Sequence, residues 1–370
     1  MLMVPKLVVL NLTTDCNMRC KYCYASAGDY QNYMKVDTAI KVVDELKQVN
    51  GEGIIKVLFH GGEPLLCFDV IQAVVSHCEE KYPDKVEFYI QTNCVLLDEK
   101  KVKYFKEHEV RISISIDGCD EITNDCRVLV NGQNGINHIK RAISLLKKYN
   151  VQINALAVLN KKNYADVKRI IDYFVMENIH AFSFNYFIKG GRGDENSDLA
   201  IDNDELFETT IIILQAVENY YRQGIYLNEK NTYYLVNSVL TNTKKYMCAN
   251  SPCGAGLNIF GITPDGEIYP CDDLSSQKQF CLGNINDASL EDILNSKIIE
   301  YFAYCNYSKI EECKNCDINL FCGAGCCSRK YYENDTIYSK DPICSFYKRI
   351  IPYLQEMIRK NEITRDIYDE

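Results

Sequence analysis

The sequence predicts an α/β protein: a parallel sheet, open or curled into a partial barrel, followed by a smaller cysteine-rich region. Three observations carry that expectation. Between residue 6 and about 187, six short runs rich in β-branched or aromatic residues alternate with longer amphipathic segments, the rhythm of βα units. The polar and cysteine-bearing motifs fall where those runs end, the edge at which parallel sheets gather function. From Cys248 to Cys344 the elements become short and cysteines frequent.

In order, the expected strands are "KLVVLNL", "IIKVLFH", "VEFYIQT", "RISISID", "VQINALAVL" and "AFSFNYF". The segments between them, "DTAIKVVDELKQV", "DVIQAVVSHCEEKY", "DEKKVKYFKEH", "GINHIKRAISLLKKY" and "YADVKRIIDYFVMEN", carry apolar residues at helical spacing. "KGGRGDENSD", 189–198, reads as a polar loop, and a helix is expected from Asn203 to Tyr221. "TPDGEIYP" reads as a hairpin, since Asp-Gly suits a tight turn. "FYKRIIPYLQEMIRK" reads as a closing helix that tolerates Pro352 near its start. No internal repeat or low-complexity tract is present.

Composition narrows the function classes. No apolar run reaches the roughly 18–20 residues needed to span a bilayer, and the first twelve residues read as a strand rather than an export signal. The expected setting is cytoplasmic, with no membrane partner. A net charge of −10 argues against a general nucleic-acid binder. Nineteen cysteines without an export signal point to metal rather than to a disulfide framework.

The most informative stretch is "TTDCNMRCKYCYA", which spaces Cys16-x3-Cys20-x2-Cys23 directly after the first strand. A structural zinc site wants four ligands. Three thiolates suit three irons of a cubane cluster and leave the fourth open, where reaction can occur. The competing readings are a zinc knot or inert buried thiols. With Tyr22 between the second and third cysteines, the stretch resembles the radical S-adenosylmethionine (SAM) superfamily, whose signature is C-x3-C-x-aromatic-C. The resemblance implies a partial (β/α)6 TIM-like barrel over residues 1–190. It also implies a [4Fe–4S] cluster whose open iron binds SAM, and reductive cleavage of SAM to a 5′-deoxyadenosyl radical. It places Gly61, Gly62, Glu63 and Pro64 of "GGEP" at the SAM ammonium, with the Glu63 carboxylate accepting from it. Asn93, Ser115 and Arg127 would lie at the ribose and carboxylate.

The second cysteine set, Cys248-x4-Cys253, Cys271, Cys313-x2-Cys316-x5-Cys322-x3-Cys326 and Cys344, resembles the SPASM domain attached to many radical SAM peptide- and protein-modifying enzymes. The resemblance implies two auxiliary [4Fe–4S] clusters, one on Cys248, Cys253, Cys271 and Cys326, the other on Cys313, Cys316, Cys322 and Cys344. Two zinc sites are the alternative. The expected division is barrel 1–190, a bridging helical segment 191–247, the cysteine-rich domain 248–345 and a C-terminal helix 346–370. Of the eight cysteines left over, Cys94 (where relatives often have Gly) and Cys327 (beside a ligand it could replace) stand out.

Asp272, next to Cys271, resembles the aspartate proposed as proton acceptor in anaerobic sulfatase maturases, with Asp273 as its substitute. Those maturases typically carry Gln before "GGEP", and this chain has His60. "HGGEPL" with "YCYA" looks closer to maturases of ribosomally made peptides, which forge thioether or carbon–carbon crosslinks. The expected function is therefore oxidative modification of a peptide or protein side chain. The alternatives are formylglycine formation on a sulfatase, oxidation of a small molecule or haem precursor, or a non-catalytic zinc or electron-transfer protein. Expected partners are the peptide or protein substrate, a reductant such as flavodoxin or ferredoxin, and a separate leader-binding protein.

Overall fold

Alternation along the strands decides the architecture. In the computed structural model, which describes residues 5–243 and 247–368, β1 (Leu7–Asn11), β2 (Ile55–His60), β3 (Val86–Thr92), β4 (Arg111–Ser115), β5 (Ile153–Val158) and β6 (Ala181–Asn185) pair in parallel and in sequence order. Val8, Val57, Phe59, Ile90, Ile112, Ile114 and Ala155 are buried on one face. They join a core with the apolar stripes of α1 (Val36–Asn50), α2 (Phe68–Lys81), α3 (Glu99–Glu107), α4 (Ile136–Lys148) and α5 (Val167–Met176). Phe59 and Phe88 stack there at 6.0 Å. The intervening positions Val9, Leu58, Gln91, Ser115, Leu156 and Asn185 line one cavity, so all six strands curl around it. The period of two thus sorts helix-facing from cavity-facing residues.

Past β6, the stretch read as a polar loop contains a one-turn helix, α6 (Arg192–Glu195). α7 (Asn203–Arg222) starts at a capping box of Asp202 and Glu205. β7 (Asn228–Glu229) adds to β6, and α8 (Lys230–Thr241) follows. The expected hairpin is β8 (Ile259–Ile262) with β9 (Glu267–Tyr269), and β10 (Gly283–Asn284) pairs with β9.

β8 lies parallel to β1, with Leu7 opposite Ile259 and Leu10 opposite Ile262. The described strands form one ten-stranded sheet in the order β10-β9-β8-β1-β2-β3-β4-β5-β6-β7. The otherwise open edge of β1 is therefore covered, and the C-terminal region is hydrogen-bonded to the first strand. Short helices α9 (Leu290–Leu294), α10 (Lys297–Ala303), α11 (Glu311–Lys314), α12 (Asn319–Cys322) and α13 (Cys327–Asn334) follow, with Cys313 in α11 and Cys322 ending α12. The closing helix α14 (Cys344–Arg359) starts at Cys344, earlier than expected. Pro352 is consequently interior rather than near the start, removing the hydrogen bond its N–H would have made to the preceding turn.

All nineteen cysteines are free of disulfides. Among the described residues no helix is long and apolar enough to cross a membrane.

Candidate active site

The cavity bounded by the six strands measures about 450 Å³. Cys16, Cys20 and Cys23 line it, and so do Cys248, Cys271, Cys322 and Cys326 from the C-terminal region. Chemistry-bearing residues far apart in sequence therefore share one chamber.

The turn after β2 holds the loop that carries the first three. Leu12 N donates to His60 O (3.0 Å), Gly62 N to Thr13 O (2.7 Å) and Glu63 N to Asp15 O (2.9 Å). A side chain at Gly61 or Gly62 would overlap the Thr13 or Asp15 carbonyl, and Gly61 also has φ +117°. These two glycines line the cavity, but Glu63 and Pro64 do not. The Glu63 carboxylate, expected at a ligand ammonium, is held by donors of the chain itself. It accepts from Leu65 N (3.0 Å), Thr92 Oγ1 (2.6 Å) and Asn93 N (2.8 Å) and is 1% exposed. Burial holds its pKa up at about 7 despite those donors. Pro64 opens a 3₁₀ turn behind the cavity wall. Asn93 does reach the loop, donating from Nδ2 to Asn17 Oδ1 (2.8 Å) with Cys16 Sγ 3.7 Å away.

Two arginines staple the loop. Arg19 donates to the carbonyls of Cys16 (2.6 Å), Met18 (2.9 Å) and Gly28 (2.7 Å). Arg192 of α6 donates to Cys20 O (3.1 Å) and Ala27 O (3.0 Å) and pairs with Asp29 (2.8 Å). Nothing local marked Arg192 for this role, because its partners lie on the other side of the barrel sequence.

The residues present fit an iron–sulfur cube. The backbone N–H groups of Met18 and Ala27 point at Cys16 Sγ and Cys23 Sγ, each at 3.4 Å, the donors a thiolate sulfur takes. Burial pushes the Cys16 thiol up to about 12 and that of Cys20 to about 11, a penalty that bound iron would reverse. Among the described residues no three His, Cys, Asp or Glu side chains converge as a single ion requires.

Tyr22 and Arg127 belong to a buried triad with Asp117. Asp117 is 0% exposed and accepts from Tyr22 Oη (2.5 Å), Arg127 Nε (3.0 Å) and Val158 N (3.0 Å). The Arg127 guanidinium lies 5.4 Å from the Tyr22 ring centroid. It is also one of the positive charges that oppose the rise of the Cys20 thiol. Both residues line the cavity, as does Ser115, which accepts from Gln91 Nε2 (2.8 Å). Asp117, in "SIDG", was missed; only a buried charge partner for Arg127 could have pointed to it.

Asp272 is the joint between the two regions. Its Oδ1 accepts from Asn11 Nδ2 of β1 (2.6 Å), its Oδ2 from the Tyr24 hydroxyl, and His60 Nδ1 of β2 stands 3.4 Å from Oδ2. Tyr24, His60, Asp272 and Asp273 all line the cavity. Burial and the neighbouring Asp272 charge raise Asp273 to about 7.

Of the second set, Cys248, Cys271, Cys322 and Cys326 line the cavity. Cys248, Cys253 and Cys326 are the thiol neighbours whose charge would act on Cys271. Cys316, Cys322 and Cys344 stand in the same relation to Cys313. Cys326 faces the cavity, whereas Cys327 is packed with Tyr269, Phe280 and Phe302. Cys94 has φ +64°, the conformation that favours glycine, and its side chain is buried in the core rather than exposed to the cavity.

A parallel strand cradle with the Cys16 loop at its mouth, joined to a cysteine-rich C-terminal region, is the arrangement of a radical SAM enzyme with an iron–sulfur SPASM domain, and the chain carries both domains. Residues 10–174 match the family model described as "Radical SAM superfamily", and residues 253–317 that described as "Iron-sulfur cluster-binding domain". An uncharacterised protein of Archaeoglobus fulgidus is 28% identical over 96% of this chain and 82% of its own. The cysteine-type anaerobic sulfatase-maturating enzyme of Clostridium perfringens (strain 13 / Type A) is 27% identical over 94% of this chain and 95% of its own. The solved structure of anSMEcpe with bound AdoMet and Cp18Cys peptide shares the fold at TM-score 0.82 and 22% identity, covering 96% of this chain and 100% of that one.

Proposed function

We propose that this enzyme oxidises a side chain of a peptide or protein, forming a thioether or carbon–carbon crosslink, with Asp272 as proton acceptor. The observation that carries the proposal is the placement of Asp272. A carboxylate from the C-terminal region is hydrogen-bonded to β1 and to the cysteine loop, in the cavity that the Cys16 trio lines. Cys16, Cys20 and Cys23 would hold a [4Fe–4S] cluster, and the two C-terminal quartets one each, making three. When bound there, the first cluster with SAM supplies one-electron cleavage and hence hydrogen abstraction from an unactivated carbon.

The chain's own residues then divide the remaining work. The backbone at Gly61 and Gly62, with Asn93 and Ser115, lines the wall available to SAM. Tyr22, Asp117 and Arg127 set a fixed cation beside Cys20. Asp272 would take the proton released as the substrate carbon is oxidised, and clusters held by the C-terminal cysteines would supply an acceptor for the accompanying electron. A flavodoxin or ferredoxin would supply the reducing electron, and a separate protein would present any leader.

Formylglycine formation is the second reading, favoured by 27% identity over nearly the whole length to a cysteine-type sulfatase-maturating enzyme. Anaerobically reconstituted protein with SAM, dithionite and a cysteine-containing peptide separates them by mass spectrometry. A crosslinked product loses two hydrogens and keeps its sulfur, whereas formylglycine loses the sulfur. Replacing Cys16, Cys20 and Cys23 by Ala is expected to abolish 5′-deoxyadenosine. Deoxyadenosine formed at the parent rate in that variant would overturn the proposal.

A further inference from the structure

Lys330 on α13 is 1% exposed, and the polar partner of its ammonium is Cys305 Sγ at 3.5 Å. Cys327 Sγ donates to Cys305 Sγ at 3.6 Å, and Cys253 packs against the same buried cluster. Cys305 and Cys327 are each 2% exposed. A chain of three buried side chains thus runs from an ammonium to one of the proposed cluster ligands. The nearby buried carboxylate, Asp341, is already engaged by Arg329 through Nε (3.2 Å) and Nη2 (2.7 Å). A buried ammonium is costly unless an anion balances it.

We infer that Lys330, acting through Cys305 and Cys327, is the buried counter-charge of the auxiliary cluster on Cys253 and raises its reduction potential. The inference rests on the reading of Cys248, Cys253, Cys271 and Cys326 as the ligands of that cluster. Four thiolates on a [4Fe–4S] core leave a net negative charge that grows on reduction. A fixed positive charge therefore stabilises the reduced form more than the oxidised one. An auxiliary centre tuned upward accepts more readily the electron left by substrate oxidation, while the proton goes to Asp272. Lys330 is in this sense a positioning residue: it touches neither substrate nor the reacting carbon. The arrangement also gives Cys327 a place distinct from that of its neighbour, buried between Cys305 and Cys253 while Cys326 faces the cavity.

The test is an EPR-monitored redox titration of full-length, anaerobically reconstituted protein in which Cys16, Cys20 and Cys23 are Ala, so that only auxiliary clusters report. Lys330→Met and Cys327→Ala are compared with that parent. The expected result is unchanged iron and sulfide, one midpoint shifted to more negative potential in both variants, and the other unmoved. Intact clusters with neither midpoint moved would overturn the inference. Loss of iron from Cys327→Ala would overturn it too, because Cys327 would then be a ligand. Should Lys330→Met not fold, Cys327→Ala decides by the same two criteria. A parent that binds zinc instead of iron would remove the auxiliary-cluster reading itself, an outcome distinguishable from an unmoved midpoint.

Discussion

Asp272→Asn is the perturbation that separates a proton acceptor from a structural joint. Asparagine keeps the shape but turns one carboxylate oxygen into an NH₂ group. Asp272 accepts from Asn11 Nδ2 at 2.6 Å on one oxygen and from the Tyr24 hydroxyl on the other. Tyr24 can reverse its hydrogen bond and accept, whereas Asn11 keeps its partner if the amide oxygen stays on its side. The structural loss is therefore about one charge-assisted hydrogen bond, about 1.5–3 kcal/mol. Removing a positioned base costs about 10²–10⁴ in rate, or about 3–5 kcal/mol at 1.36 kcal/mol per tenfold. The chemical effect should exceed the structural one. The assay is single turnover with SAM, dithionite and peptide, counting 5′-deoxyadenosine and modified peptide separately. Deoxyadenosine should persist while modified peptide falls about 100- to 10,000-fold. Modified peptide at the parent rate, with clusters intact, would refute the reasoning. Equal loss of both products would refute it as well, since Asp272 would then serve assembly of the site rather than proton removal.

Other expectations follow from the same geometry. Gly62→Ala places a methyl group against the Asp15 carbonyl, so the cysteine loop should shift. Iron bound by the N-terminal cysteines should fall, while circular dichroism stays that of the parent. Arg192→Ala removes donors to Cys20 O, Ala27 O and Asp29; it should lower iron content in the same place, and full iron retention would exclude the stapling role. In cluster-free protein, Glu63 has its pKa raised from 4.5 to about 7. The folded state then binds more protons than the unfolded state between those values. The Glu63 contribution is full below about pH 4.5 and is lost as pH rises through about 7, a fall of about 3 kcal/mol. Urea denaturation of reduced apoprotein at pH 5 and pH 8 should show Glu63→Gln lacking that fall; parallel behaviour of the two proteins would exclude it.

Local pattern carried much of the fold. The six strands from Leu7 to Asn185 are recognisable because β-branched alternation and helical spacing are properties of short windows. The Cys16, Cys20 and Cys23 loop is legible for the same reason: three ligands of one centre lie within a single turn of chain. Where expectation and structure part, the cause is a partner elsewhere in the chain. The donors that Thr92 and Asn93 of β3 and its following turn bring to Glu63 could not be read from "GGEP". Arg192 looked like loop filler until α6 folded against the carbonyls of the cysteine loop.

What the sequence by itself determined is the chemistry at hand: strands that end in thiols, glycines and carboxylates, and a later stretch dense in cysteines. Only the tertiary structure decided that this chemistry shares one chamber. The parallel pairing of β8 with β1 carries Cys271 and Asp272 onto the first strand's edge, where Asn11, Tyr24 and His60 meet the aspartate. Hydrogen bonds between strands so far apart in the chain leave no periodic trace in either segment.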